Sequence, residues 1–288
     1  MSGTIRSIHR YPVKSMGGED LDRCEVDGQG LVGDHRFALV DVATGKILSA
    51  KRPRRWAGLL DFSAAYAGEP VAGEPLPPVR ITCPDGTVVS GDDPQVDEAL
   101  SRVLGTAVRL TDVGALAGQT MEMVWPEDQP LNGFARDAER NDDGERQVDI
   151  QSPPGRSYDV AALHLLTSSS LDLLERASPE AAPGAFDPRR YRPNLVIDSV
   201  GEGFVENGWV GRTVHVGAVA ARVFMPTVRC VMTTLGHAGL PADRDGLHGV
   251  IRANTLPVEP FGEWACLGAY AGVAAPGVLA VGDPVRAE

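Results

Sequence analysis

Cysteine is scarce in these 288 residues, and the four present, Cys24, Cys83, Cys230 and Cys266, lie far apart. None forms a C-x-x-C pair, which excludes a zinc ribbon, a cysteine-ligated iron–sulfur cluster, a thioredoxin-type redox pair and a C-x-x-C-H haem attachment. No apolar run reaches membrane-spanning length. The first residues, Met-Ser-Gly-Thr-Ile-Arg-Ser-Ile-His-Arg, alternate like a strand and lack the apolar core of a signal peptide. The expectation is a cytoplasmic protein with no membrane association. Positive charge is also short: 27 Lys and Arg against 39 Asp and Glu leave a net charge of −12, which argues against nucleic-acid binding. Repeats and low-complexity tracts are absent. Gly28-Gln-Gly-Leu-Val-Gly33 fits G-x-G-x-x-G, but the strand-like Phe37–Asp41 follows where a dinucleotide fingerprint needs a helix.

What is present describes a globular chain, 43% hydrophobic and 23% charged, long enough for two medium domains. Strand patterns at Thr4–Arg10, Phe37–Asp41, Leu59–Ala65 and Val79–Cys83 are separated by proline and glycine turns, and Asp41–Leu48 reads as a hairpin turned at Gly45. Asp93 and Pro94 open a helix with Val96, Leu100, Val103 and Leu104 on one face, and Gly105 stops it. Residues 126–155 lose hydrophobic period except near Val148–Ile150, so they are expected to form a junction or mobile excursion between domains at 1–125 and 156–288.

The second half is strand-rich. Leu163–Leu166 reads as a strand in which His164 is a core or face histidine, and Ser169 has capping-box spacing for a helix to about Ala177. Strands follow at Leu195–Asp198, Trp209–Val216 and Ala220–Phe224, the last two joined at Gly217. Leu240–Arg252 is a weak helix spoiled by Gly246 and Gly249, and Trp264–Val273 with Val278–Val281 forms a terminal strand pair turned at Pro276-Gly277.

Several groups can carry chemistry. Cys230, after Pro226 and Arg229, is either a metal ligand or a small buried hydrophobe. Lys14 and Ser15 sit on a loop at a strand end, where ammonium and hydroxyl can meet an anion. Asp187–Asn194 places three arginines before a strand, and Pro193 is expected to hold Arg192 extended as part of an anion clamp. The basic run Lys51-Arg-Pro-Arg-Arg55 is suited to guiding an anion or docking an acidic carrier.

Taken in order, Tyr11-Pro-Val-Lys-Ser15, Gly30-Leu-Val-Gly-Asp-His-Arg-Phe37, Tyr191-Arg-Pro-Asn-Leu-Val-Ile197, Trp209-x-Gly211, Arg229-Cys-x-x-Thr-Thr234 and Val281-Gly-Asp-Pro284 resemble the MOSC family, in the form with a MOSC N-terminal β-barrel domain ahead of a MOSC domain. The resemblance implies a mainly β fold with some α, an N-terminal β-barrel-like domain at 1–125 and a C-terminal MOSC β-barrel domain at 156–288. It implies a molybdenum cofactor, Mo-molybdopterin, with Cys230 matching the family's thiolate ligand to the metal; soft thiolate suits such a metal. Lys14, Ser15, Arg36 and Arg192 match contacts to the pterin phosphate, and Arg229 counts with them. Asp159 and Val160 match a cofactor-facing loop, and Tyr270 matches a tyrosine beside the metal, counted as catalytic with Cys230. The implied activity is reduction of N-hydroxylated or other N-oxygenated small molecules, with electrons from a separate reductase or carrier. A cofactor carrier or sulfur-delivery module is the alternative; the pyridoxal-phosphate desulfurase domain of such modules is replaced here by the N-terminal barrel, so no pyridoxal phosphate is expected. The chain departs from the family where Thr227-Val228 replaces Cys-Ser ahead of Arg229-Cys230, where Ala162 replaces a loop proline, and where Lys51 beside Arg52 stands for an arginine.

Overall fold

In the first strand, Ser2–Arg10, the buried Ile5 and Ile8 are three residues apart, a spacing that would put them on opposite faces of a regular strand. The pairing with Leu195–Ser199 shifts register between Ile5 and Ser7, and this bulge turns both isoleucines inward. The computed structural model, which describes residues 2–115, 120–125, 135–237, 239–259 and 262–288, shows this strand closing a seven-stranded barrel. Around the ring, Ser2–Arg10 lies between Leu195–Ser199 and Pro284–Ala287; Thr213–Val216, Val219–Val228, Gly262–Ala275 and Leu163–Thr167 complete it. Leu163 and Leu165, Leu195 and Ile197, and Ala221 and Val223 fill the interior. The period of two then sends His164 and Leu166 outward. Leu166 packs under the helices Ser168–Ala177 and Asp245–Ala253, whereas His164 faces the site described below.

The N-terminal segment supplies the rest of a mainly β architecture. Phe37–Asp41 pairs with Val108–Asp112, and Ser63–Tyr66, Val79–Thr82 and Val88–Ser90 form a meander. Their inward residues, with Leu100 of the helix Val96–Leu104, make a second core. Gly105 ends that helix in the left-handed conformation, as the sequence predicts. Of the stretch 126–155, residues 126–134 lie outside the described residues. Gln147–Gln151 pairs with Thr120–Val124 as an antiparallel hairpin.

Four local expectations change. Ala57–Asp61 is a 3₁₀ turn that buries the adjacent Leu59 and Leu60, and the strand is only Ser63–Tyr66. Thr167, not Ser169, caps the helix Ser168–Ala177, because Ser169 Oγ is engaged by Gly203 O at 2.8 Å. Gly277–Ala280 pairs with Arg23–Asp27 instead of folding back on the preceding strand. Gly246 and Gly249 build the helix Asp245–Ala253 into the core rather than spoiling it: added Cβ atoms would stand 2.3 Å from Ala185 O and 2.7 Å from the Phe186 ring.

Candidate functional site

A cleft of about 220 Å³ opens where the barrel meets the N-terminal segment. Of the residues singled out from sequence, Asp159, Val160, Arg192, Arg229, Cys230 and Tyr270 line it. Lys14, Ser15 and Arg36 do not. Lys14 stands behind Asp159, donating to Ser157 O at 2.7 Å and to Asp159 Oδ1 at 2.8 Å. Ser15 Oγ accepts from the Ala50 amide at 3.1 Å. Arg36 forks the Asp112 carboxylate instead, a partner too distant in sequence to be foreseen.

Asp159 takes a second ammonium, from Lys51, at 2.9 Å. Burial alone would raise its pKa; Lys14 and Lys51 overcome that and hold the carboxyl well below the usual range, so the loop carrying Val160 is pinned by an ionised clamp. The rest of the basic run is also paired within the chain: Arg52 with Glu122 and Asp143, Arg54 with Glu145, Arg55 with Asp41. It is therefore not the free cationic face expected to dock an acidic carrier.

Arg192 is not extended. It caps the short helix Pro188–Tyr191 at φ 53°, a strained conformation for a residue before proline. Its amide bonds to Pro188 O, its guanidinium sits 4.1 Å over the Tyr11 ring, and Nη1 donates to Met16 O at 2.7 Å. Nη2 is buried without a partner. Against Tyr11 also stands a pair that sequence reading passed over. His35, at φ 48°, bonds through Nδ1 to Asp34 Oδ2 at 2.7 Å, and Asp34 Oδ1 accepts the Tyr11 amide at 2.7 Å. The adjacent Asp-His inside the Gly33-Asp-His-Arg36 motif was the available signal.

On the barrel side, Arg229 donates to Leu267 O, to Tyr191 O and, at 2.6 Å, to His164 Nε2. His164 Nδ1 faces Arg192 O at 3.2 Å, so these partners assign a neutral imidazole with its proton on Nδ1. Burial first, and then Arg229, push the His164 pKa well below its ordinary value, in agreement. Gly268, at φ +90°, makes this possible: a Cβ there would lie 2.3 Å from His164 Nε2. Tyr270 is paired opposite His164 across the strands, ring to ring at 5.7 Å, and burial raises its phenol to about 12.

Cys230 follows the strand Val219–Val228, partly exposed, whereas the other three cysteines are buried. Its neighbours fix it: the Arg229 amide donates to Ala265 O, Trp264 Nε1 donates to Arg229 O at 2.8 Å, and Thr233 bonds back to Cys230 O. Around it the lining includes four cations, Lys51, Arg190, Arg192 and Arg229, against two carboxylates, Asp34 and Asp159. Among the described residues no group of three or more His, Cys, Asp and Glu could hold a metal ion.

Comparisons with known proteins follow the same outline. Residues 2–64 match the family model "MOSC N-terminal beta barrel domain" and residues 155–286 match "MOSC domain". The chain is similar to mitochondrial amidoxime-reducing component 1 of Xenopus laevis, 26% identical over 98% of this chain and 81% of the relative. It is likewise similar to component 1 of Mus musculus, 24% identical over 98% and 82%, and to component 2 of Macaca fascicularis, 26% identical over 98% and 83%. Among solved structures, the YUAD protein from Bacillus subtilis aligns at TM-score 0.45 and 10% identity, covering 100% of this chain and 96% of that one. No helix among the described residues is long and apolar enough to cross a membrane.

Proposed function

The chain belongs to the MOSC family, its MOSC domain preceded by a MOSC N-terminal β-barrel domain, and on that premise we propose that it is a molybdenum-cofactor-dependent oxidoreductase. It takes oxygen from N-hydroxylated or other N-oxygenated small molecules, with electrons from a separate reductase or carrier. The observation that carries the reading is the charge of the cleft: in a chain of net charge −12, four cations face two carboxylates around a partly exposed thiol. The residues fit an anionic, metal-bearing group. The unpartnered Arg192 Nη2 is a costly buried donor until a phosphate oxygen takes it. Cys230 offers one soft ligand, and among the described residues no group of three or more metal-ligating side chains is gathered, a donor set that suits a metal carried by an organic cofactor.

When bound, the molybdenum cofactor supplies two-electron removal of oxygen. The chain's own residues do the remainder. Cys230 would hold the metal and Arg192, kept in place by Tyr11 and Met16, would take the phosphate, while the Lys14–Asp159–Lys51 clamp fixes the Val160 loop. His164 and Arg229 brace the backbone on the other side. Tyr270, its phenol raised to about 12, stays protonated at neutral pH and is available to donate a hydrogen bond to substrate. Conversion of N–OH to N–H and water consumes two electrons and two protons, and no flavin, haem or iron–sulfur motif in the chain supplies the electrons. The relatives' names support an amidoxime as the first substrate to try.

The test compares wild type with Cys230→Ala for molybdenum, pterin and reduction of an amidoxime by chemically reduced protein. The variant is expected to lose metal and turnover together. Full activity and metal in the variant would refute the assignment, and cofactor retained by wild type without turnover would favour the carrier reading.

A further inference from the structure

The cleft has a second half that none of these contacts uses. Besides the cations and Cys230, its lining includes an apolar wall, Met123, Trp125, Ile150, Val228 and Trp264, which belong to one hydrophobic cluster. The first three come from the hairpin Thr120–Val124 and Gln147–Gln151 with the residue that follows its first strand, in the part of the chain between the two family matches. Alternation explains the wall. Met121, Met123 and Trp125 share a face with Val148 and Ile150, while Glu122 and Asp149 lie on the other face and bind Lys46 and Arg52. The hairpin thus offers one dry face toward the barrel, and Trp264 meets it there: the Trp125 and Trp264 rings stand edge to face, 5.1 Å apart at 74°.

The two indole N–H groups differ. That of Trp264 is spent on Arg229 O at 2.8 Å, whereas that of Trp125 is buried with no partner although the residue lines the cleft. A buried donor left over in an aromatic wall points to a ligand with an acceptor. Val228 sharpens this, since it sets an apolar side chain directly before Arg229-Cys230.

We propose that this wall is a substrate subsite that takes a flat, uncharged apolar group, an aryl ring above all, and binds an acceptor on or beside it through the Trp125 N–H. The proposal rests on the reductase reading of the cleft, and names its specificity-determining residues as Trp125, Trp264 and Val228. The cations of the cleft serve the anionic group, leaving the apolar wall for the substrate's body.

The test uses the full chain, with and without cofactor, titrated with benzamidoxime and acetamidoxime and followed by indole fluorescence, since two of the four tryptophans line the cleft. The aryl compound is expected to bind roughly tenfold or more tightly. Trp125→Phe, which keeps a ring and removes the donor, should weaken both compounds roughly threefold to tenfold and preserve the aryl preference. Val228→Ser should shrink that preference toward parity. Equal binding of the two compounds, or wild-type binding in both variants, overturns the subsite. Preferential binding without turnover overturns the reductase reading and leaves the subsite standing; turnover with equal kcat/KM for the two compounds overturns the subsite alone.

Discussion

Replacing Asp159 by Asn removes the one carboxylate that Lys14 and Lys51 share, at 2.8 and 2.9 Å. The side chains of the two lysines are only 5% and 9% exposed, so the variant holds two nearly dry ammonium groups with no countercharge between them. Breaking a buried pair costs about 3–5 kcal/mol. Asp159, at 28% exposure, keeps some contact with water, which places the expected loss at the low end, about 3 kcal/mol. That corresponds to a fall in Tm of about 6–12 °C. Urea unfolding at neutral pH measures it, and the pH dependence checks the cause. Burial opposes ionisation of Asp159, but Lys14 and Lys51 win and its folded pKa lies below the unfolded value. Its contribution is therefore complete above about pH 4 and is lost as pH falls further. The gap between wild type and Asp159→Asn should close in acid. Added phosphate should stabilise the variant more than wild type, since it meets one more uncompensated cation. A variant within about 1 kcal/mol of wild type at pH 7, or a gap that persists unchanged to pH 2, would refute the clamp.

Three further outcomes follow from the site. Gly268→Ala puts a Cβ 2.3 Å from His164 Nε2 at a backbone φ of +90°, so it should cost about 3 kcal/mol or prevent accumulation of folded protein; thermal melts and soluble yield decide. His164, its pKa pushed well below the ordinary value by burial and by Arg229, should show no imidazole titration by NMR between pH 7 and 5.5. Its depressed folded pKa means that its contribution is present above about pH 6.5 and is lost as pH falls through the folded value. A thiol reagent should modify one cysteine rapidly in the native protein, and Cys230→Ser should abolish that phase, because Cys24, Cys83 and Cys266 are buried; fast labelling of a second thiol would contradict the packing.

The strands at Phe37–Asp41 and Val79–Thr82 and the helix Val96–Leu104 were legible because their signals are local: alternation, an apolar helix face, a terminal glycine; the cap was misplaced, since Gln95 and not Asp93 stands at the helix N-cap. The barrel was foreseen through the family resemblance alone, since no local pattern reveals a closure that pairs residues from opposite ends of the chain. The same limit governs the site. Arg192 could be picked out by its motif and Asp159 through the family resemblance, but Arg36 answers to Asp112, and only the folded chain decides which carboxylate an arginine meets. Arg192 was misjudged in conformation because the proline rule speaks for the residue's own preference, and a helix end, a tyrosine ring and a carbonyl together outweigh it. The alternation Met121-x-Met123-x-Trp125 stood in plain view; what it lacked was its partner strand, separated by the stretch 126–146.

The bulged first strand also sets a timetable. Ser2–Arg10 is held between strands at Leu195–Ser199 and Pro284–Ala287, so the ring cannot close until synthesis has reached its last strand. At ~5–20 residues per second a nascent chain carries Ile5 and Ile8 unsatisfied for on the order of tens of seconds, the slow and exposed regime of non-local pairing. Residues made some 280 positions before their partners, as Thr4 is before Pro284, are thus among the last to reach their place, and the cleft, which needs both the barrel and the N-terminal segment, is assembled only at the end of folding.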